Sequence, residues 1–309
     1  MLKGSMDLLE KLCQLHGPSG NEKGVKDFLM DYIEKNSSSW SCKPQIYHGE
    51  DFLDCIVLVF GNPKTAAFAH MDSVGFTVRY DNKLVPIGGI EMRTGYTLVG
   101  EDSKGKIETK LVVDDDMQYV VCDYQRLIET GTELVFKCNF QETNEFVQSC
   151  YLDNRLGVWT MLKLCETIEN GAIVFSCWEE HGGGTVPFLV RFLWKQYRIK
   201  QYLVADITWV SEGVKPGEGV VVSLRDERIP RRSFKERILD ILKQSSISYQ
   251  LEVEAFGGSD GKEIQSTPYP VEWCFIGAPE DNVHTPEEIV HKKDIEAMVE
   301  AYKLLMEKL

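Results

Sequence analysis

NRLGVWTMLKLCETIENGAIVFSCWEEHGGGTVPFLVRFLWKQYRIKQYLVADI, residues 154–207, decides the fold class of this chain. Its opening places Leu156, Val158, Trp159, Met161, Leu162, Leu164, Cys165 and Ile168 over a broad apolar face, the pattern of a buried helix. AIVFSCW (172–178) then reads as a strand, TVPFLVRFLWKQY (185–197) as a helix and QYLVADI (201–207) as another strand. Strands alternating with helices specify an α/β sandwich on a mostly parallel sheet.

The same alternation extends in both directions. FKERILDILKQS (234–245) reads as a helix, YPVEWCFIG (269–277) as a strand and DIEAMVEAYKLLMEKL (294–309) as a closing helix. Upstream, DCIVLVFG and TAAFAH are apolar strands separated by the turn Gly61-Asn62-Pro63. Before them Val25, Phe28, Leu29, Tyr32 and Ile33 repeat at helical period, with Ser19 and Glu22 spaced as a capping box. Between 74 and 149 the texture changes. GFTVRY, KLVPIGGI, YTLVGED, KIETKLVV, QYVVCDY and TELVFKCNF follow closely, divided by the turn signals DNK, DSKG, DDDM and ETGT. Such spacing predicts a small β-barrel or sandwich. The expected organisation is an α/β domain formed by 1–73 and 150–309, with 74–149 as an inserted β-rich domain.

Composition narrows the function. The 309 residues are 43% hydrophobic and 10% aromatic, as in ordinary globular proteins. A net charge of −14 argues against nucleic acid as a partner, since phosphate neutralisation needs clustered Lys and Arg. No stretch is apolar enough to span a membrane, and the N-terminus lacks the apolar region of a signal peptide. Nine scattered cysteines without a CxxC suit reduced thiols in a cytoplasmic protein.

In open α/β sheets, ligands bind beyond the carboxyl ends of the strands. TAAFAH ends in His70, with Asp72 two residues on; AIVFSCW runs into Glu179 and Glu180; YLVADI ends at Asp206. Asp153 opens the buried helix, and His284 lies in the loop after EWCFIG. Each has a bland reading taken singly. Asp153 could be an N-cap, His70 a satisfied semi-buried histidine, Glu179-Glu180 surface charge, and His284 a neighbour of a Thr285–Glu288 capping box. Together they put imidazoles and carboxylates from five segments at one sheet edge. Two His with three acids, one bridging, can hold two divalent ions about 3.5–4 Å apart. Zinc is expected, with cobalt and manganese as the other candidates. His-x-Asp spacing lets Asp72 fix the His70 tautomer. The second glutamate of the pair is free to act as a base.

AHMDSVGFTVRY, YLDNRLGV, WEEHGGGT, ADIT, GGSDG and NVHTPEE, in this order, resemble the dinuclear-metal aminopeptidases of the TET or deblocking type. These belong to the zinc exopeptidase clan and are often labelled cellulases or endoglucanases. LCQLHGPSGNE is similar to their N-terminal LxxLxGxSGxE signature. The resemblance implies a zinc-exopeptidase-like sandwich that removes N-terminal residues from peptide substrates. It implies His70 and Asp206 on one metal, Glu180 and His284 on the other, and Asp153 bridging. Glu179 would be the general base, Asp72 would orient His70, and Gly258 and Ser259 would border the substrate. A homo-oligomer is implied too, although the inserted block is shorter than is usual in the family. Three motifs depart from the family: Asn154 stands where a second aspartate is usual, EEHGGGT replaces EEVGxxGA, and GGSDG replaces GGTDA. The role of His181 is left open. A deacylase or carboxypeptidase of the same clan, or a non-catalytic scaffold, are the alternative readings.

Overall fold

A computed structural model describes residues 6–113, 119–122 and 124–309. The DDDM turn expected at 114–117 lies outside the described residues.

The long apolar runs fold as the core of a mixed sheet. Strands Gly171–Ser176, Thr65–His70, Gln201–Trp209 and Glu272–Asp281 lie side by side in that order, all parallel. Their side chains are buried on both faces, which is why the sequence shows continuous rather than alternating apolar runs. Antiparallel strands extend both edges. Leu53–Phe60 and Gln45–Gly49 continue one side, and Glu288–His291, Phe146–Ser149 and Gln141–Glu142 the other. The sheet is thus parallel at its centre and antiparallel at its margins. Val220–Arg225 lies antiparallel to Glu272–Asp281 and carries Tyr249–Val253 beside it in parallel.

Helix Leu152–Cys165 buries every residue except Lys163, and packs against Lys292–Lys308 and the central strands. Val186–Tyr197 and Asp260–Ser266 form a second packed pair.

Six strands between Gly75 and Phe136 close a barrel around a separate core that includes Phe76, Leu98, Leu134 and Phe136. Tyr151 inserts into this core from the residue before the buried helix. Its ring stacks on Phe136 at 6.0 Å and its hydroxyl accepts the Phe136 N–H. The barrel is thereby fastened two residues from Asp153.

The eight described cysteines form no disulfide. No helix among the described residues is long and apolar enough to cross a membrane.

Candidate active site

Because the four central strands are parallel, their carboxyl ends open on one side, and the chemistry collects there. His70 closes its strand, and Asp206 lies two positions past the last pairing with that strand. After Ser176 the chain turns sharply. Trp178 has φ of 68°, and Gly182, Gly183 and Gly184 have φ of 94°, 72° and 132°, a region that favours glycine. Between them the short 3₁₀ turn Glu179–His181 directs both glutamates inward. At Gly183 a Cβ would sit 2.5 Å from the Glu263 carboxyl carbon, and that carboxylate accepts the Gly184 N–H at 2.9 Å.

Asp153 occupies the middle of the cluster. One of its oxygens lies 3.3 Å from His70 Nε2, and the other 3.2 Å from His284 Nε2. His70 Nε2 is 3.5 Å from Asp206 Oδ1, and His284 Nε2 is 3.1 Å from Glu180 Oε2. His70, Asp153 and Glu180 each offer a ligand atom within 4.8 Å of the others. The five residues expected as ligands therefore meet in one place, with an imidazole on each side of one carboxylate.

Asp72 does more than its spacing suggested. It lies 3.4 Å from His70 Nδ1, and it also accepts the backbone N–H of Glu179 and of Glu180, each at 3.1 Å, and the Ser19 hydroxyl at 2.5 Å. One buried carboxylate thus holds an imidazole and the backbone of both glutamates. This overturns the capping box expected at Ser19 and Glu22. Ser19 serves Asp72, while Glu22 accepts the N–H groups of Gly20 and Trp178. Helix Lys23–Asn36 has no side-chain cap. The Trp178 N–H, in a turn with left-handed backbone, takes the buried Glu22 carboxylate as its acceptor at 3.2 Å, which removes that side chain from the helix start. The Thr285–Glu288 box is absent as well. Glu288 opens a strand, and its carboxylate accepts the N–H of His284 at 3.1 Å and of Asp153 at 3.2 Å.

The barrel contributes the remaining wall. Gly89 O lies 2.9 Å from His284 Nδ1, so that ring presents Nε2 to the carboxylates. The Gly88 N–H donates to His181 Nδ1 at 3.2 Å, which gives the unexplained histidine a place: it ties the glutamate turn to the barrel. Asn154 donates to Ala205 O at 2.8 Å and accepts the Gly157 N–H at 2.9 Å. An aspartate there would lose the first bond, so the departure at Asn154 braces the Asp153 backbone on the Asp206 strand.

Electrostatics mark the cluster as short of positive charge. Burial pushes Glu180 up to about 7 and Asp206 up to about 6, with the Asp153 charge adding to both. Burial also pushes Glu179 well above the carboxylate range, although His70 opposes this. Burial alone would lower both imidazoles, yet Asp206 and Asp153 raise His70, and Glu180 and Asp153 raise His284. Glu180 Oε1 is buried without a hydrogen-bond partner, and His70 Nδ1 has only the Asp72 carboxylate, at 3.4 Å, facing it. A donor set of imidazoles and carboxylates with such an orphaned oxygen fits a divalent metal.

The site opens into a cavity of about 480 Å³ lined by Glu179, Glu180, Asp206, Gly258, Ser259 and residues beyond them. Ser259 caps helix Asp260–Ser266, its hydroxyl accepting the Gly261 N–H at 3.2 Å, so Gly258 and Ser259 enter the cavity wall as a fixed corner.

Residues 99–301, most of the chain, match the family described as M42 glutamyl aminopeptidase. A relative from Acetivibrio thermocellus named "Putative aminopeptidase" is 26% identical over 341 residues, covering 97% of each chain. Among solved structures, a TET aminopeptidase from the marine sediment archaeon Thaumarchaeota archaeon SCGC AB-539-E09 superposes with a TM-score of 0.86. It is 18% identical and covers 99% of this chain and 97% of its own. The TET1 peptidase of Pyrococcus horikoshii, which can assemble into a tetrahedron or a large octahedral shell, gives a TM-score of 0.80 at 20% identity, over 98% of this chain and 99% of its own. Both structures share the fold. The chain belongs to the M42 glutamyl aminopeptidase family and is a metal-dependent peptide hydrolase of the aminopeptidase kind.

Proposed function

We propose that the protein removes N-terminal residues from peptides with a co-catalytic pair of divalent ions, zinc first among the candidates. The observation that carries this reading is the Asp153 carboxylate, with one oxygen toward His70 and the other toward His284. His70 and Asp206 would hold one ion, Glu180 and His284 the other, and Asp153 both. Bound there, the ions supply Lewis acidity toward the scissile carbonyl and make a water nucleophilic near neutral pH.

The chain's own residues do the rest. Glu179 lines the cavity beside the cluster and is absent from the close imidazole contacts, which leaves its carboxylate free to carry a proton from water to the leaving amine. Burial, which raises its proton affinity, suits that exchange. Asp72 fixes the His70 ring and the Glu179–Glu180 backbone together, so ligand and base keep one geometry. The wall at Gly258 and Ser259 would face the substrate. By analogy with the shell-forming Pyrococcus horikoshii relative, we infer a homo-oligomer, and we place the protein in the cytoplasm, where its free thiols persist.

The test is reconstitution with zinc, cobalt or manganese, followed by assay on aminoacyl-anilides, N-acyl amino acids and C-terminally cleavable dipeptides. Two bound equivalents and hydrolysis of the aminoacyl-anilides are expected. Cleavage of only the blocked substrates would replace the aminopeptidase reading with a deacylase.

A further inference from the structure

Beyond the cluster, the cavity has a second group of acids. Asp226 follows strand Val220–Arg225, Glu252 lies in strand Tyr249–Val253, and Glu254 comes just after it. These two strands run parallel, with Ser223 opposite Glu252 and Arg225 opposite Val253, so their ends place the three carboxylates on one floor. Asp226 and Glu252 are buried, at 8% and 4% exposure. Asp226 Oδ1 accepts the backbone N–H of Arg228, and the Glu252 carboxylate accepts the Thr208 hydroxyl at Oε1 and interacts with the Ser223 side chain. Among the described residues none of the three has a Lys or Arg within ion-pair distance. The nearby cations are turned to another acid, Lys262 standing 3.0 Å and Arg228 3.7 Å from Glu227. Above this floor stand Trp209, 47% exposed, and Phe256, 81% exposed, with Trp209 packed against the backbone at Gly257. The pocket therefore offers aromatic surface for an alkyl stem and unneutralised carboxylates for its end.

Resting on the aminopeptidase reading, we propose that the substrates are peptides with an N-terminal lysine or arginine. The side chain passes Trp209 and Phe256 and ends at Asp226, Glu252 and Glu254. A glutamyl residue would bring a fourth like charge into a partly dry pocket, where charges are poorly screened.

The experiment compares kcat/KM for lysyl-, arginyl-, leucyl- and glutamyl-anilides on the zinc- or cobalt-loaded protein, and repeats the series for Glu252→Gln and Asp226→Asn. Both replacements keep the acceptor oxygen already in use, which favours folding, and circular dichroism checks it. The basic substrates should exceed the leucyl one by about tenfold or more, with the glutamyl one lowest. In each variant the lysyl-to-leucyl ratio should fall several-fold and the glutamyl rate rise. A leucyl or glutamyl preference in the parent protein would overturn the assignment while leaving aminopeptidase activity standing. Hydrolysis of none of the four would overturn both. An unchanged ratio in both folded variants would remove these acids from specificity.

Discussion

Glu288 Oε2 accepts the backbone N–H of Asp153, a residue 135 positions earlier in the chain, and Glu288 Oε1 accepts that of His284. One buried side chain thus sets the spacing of two proposed ligands without facing the metal itself. Replacing Glu288 with Ala leaves the buried Asp153 N–H unpaired, at about 1–3 kcal/mol, and the half-buried His284 N–H at less than that. It should also weaken metal binding by about 10–100-fold, as loss of outer hydrogen bonds does elsewhere. Glu288→Gln, which keeps one acceptor, should fall between. Competition with a chromogenic chelator reads the affinity and thermal melting reads the fold; equal affinity in all three proteins would remove Glu288 from the site.

Glu179 and Glu180 are adjacent yet not interchangeable. Glu180 Oε2 is 3.1 Å from His284 Nε2, whereas Glu179 meets Asp72 through its backbone. Glu179→Gln should retain metal and lose about 10²–10⁴ in kcat, the usual contribution of a general acid–base. Glu180→Ala should lower the bound metal itself. Metal analysis after gel filtration, set beside kcat, separates the two. Near-parental turnover by Glu179→Gln would mean that another group carries the proton.

The parallel centre of the sheet and the five ligand candidates were legible because both leave local marks. Buried strands read as unbroken apolar runs, and a His or acid at the end of one has few other reasons to be there. What stayed hidden is long-range. Glu288 and Asp153, or His181 and Gly88, meet only through folding across large chain separations, and nothing near either residue announces the partner. Local rules also lost where burial raised the stakes. Ser19 and Glu22 have capping-box spacing, but the buried Asp72 and the Trp178 amide draw them away. The strands at 220–225 and 249–253 escaped because their short, partly charged runs carry no clear period.

Metal removal should destabilise the protein measurably. Asp153, Asp206, Glu179 and Glu180 share a small volume with only two imidazoles to balance them. A ligand that binds only the folded state at a thousandfold excess over its Kd stabilises by about 4 kcal/mol. At roughly 2–4 °C per kcal/mol for a chain of this order, zinc should raise the Tm by about 8–16 °C over chelated protein. Calorimetry with and without chelator measures this. Coincident melts would mean that the cluster binds no zinc in the folded state.

Glu22 gives a pH dependence outside the ligand set. Burial pushes its carboxyl from 4.5 up to about 7, against the hydrogen bond from Gly20. Between those two values the folded protein holds a proton that the unfolded chain has released. Stability therefore falls as pH rises from about 4.5 through about 7, and the full loss, about 3 kcal/mol, persists above that range. Both accepted N–H bonds go to Oε1, so the amide oxygen of Glu22→Gln can take them over without a titrating group. The variant should match the parent near pH 4.5 and exceed it in stability at pH 8, both measured by urea unfolding of metal-free protein. A parent at least as stable as the variant at pH 8 would show that Glu22 is held ionised, with the Gly20 and Trp178 amides outweighing its burial.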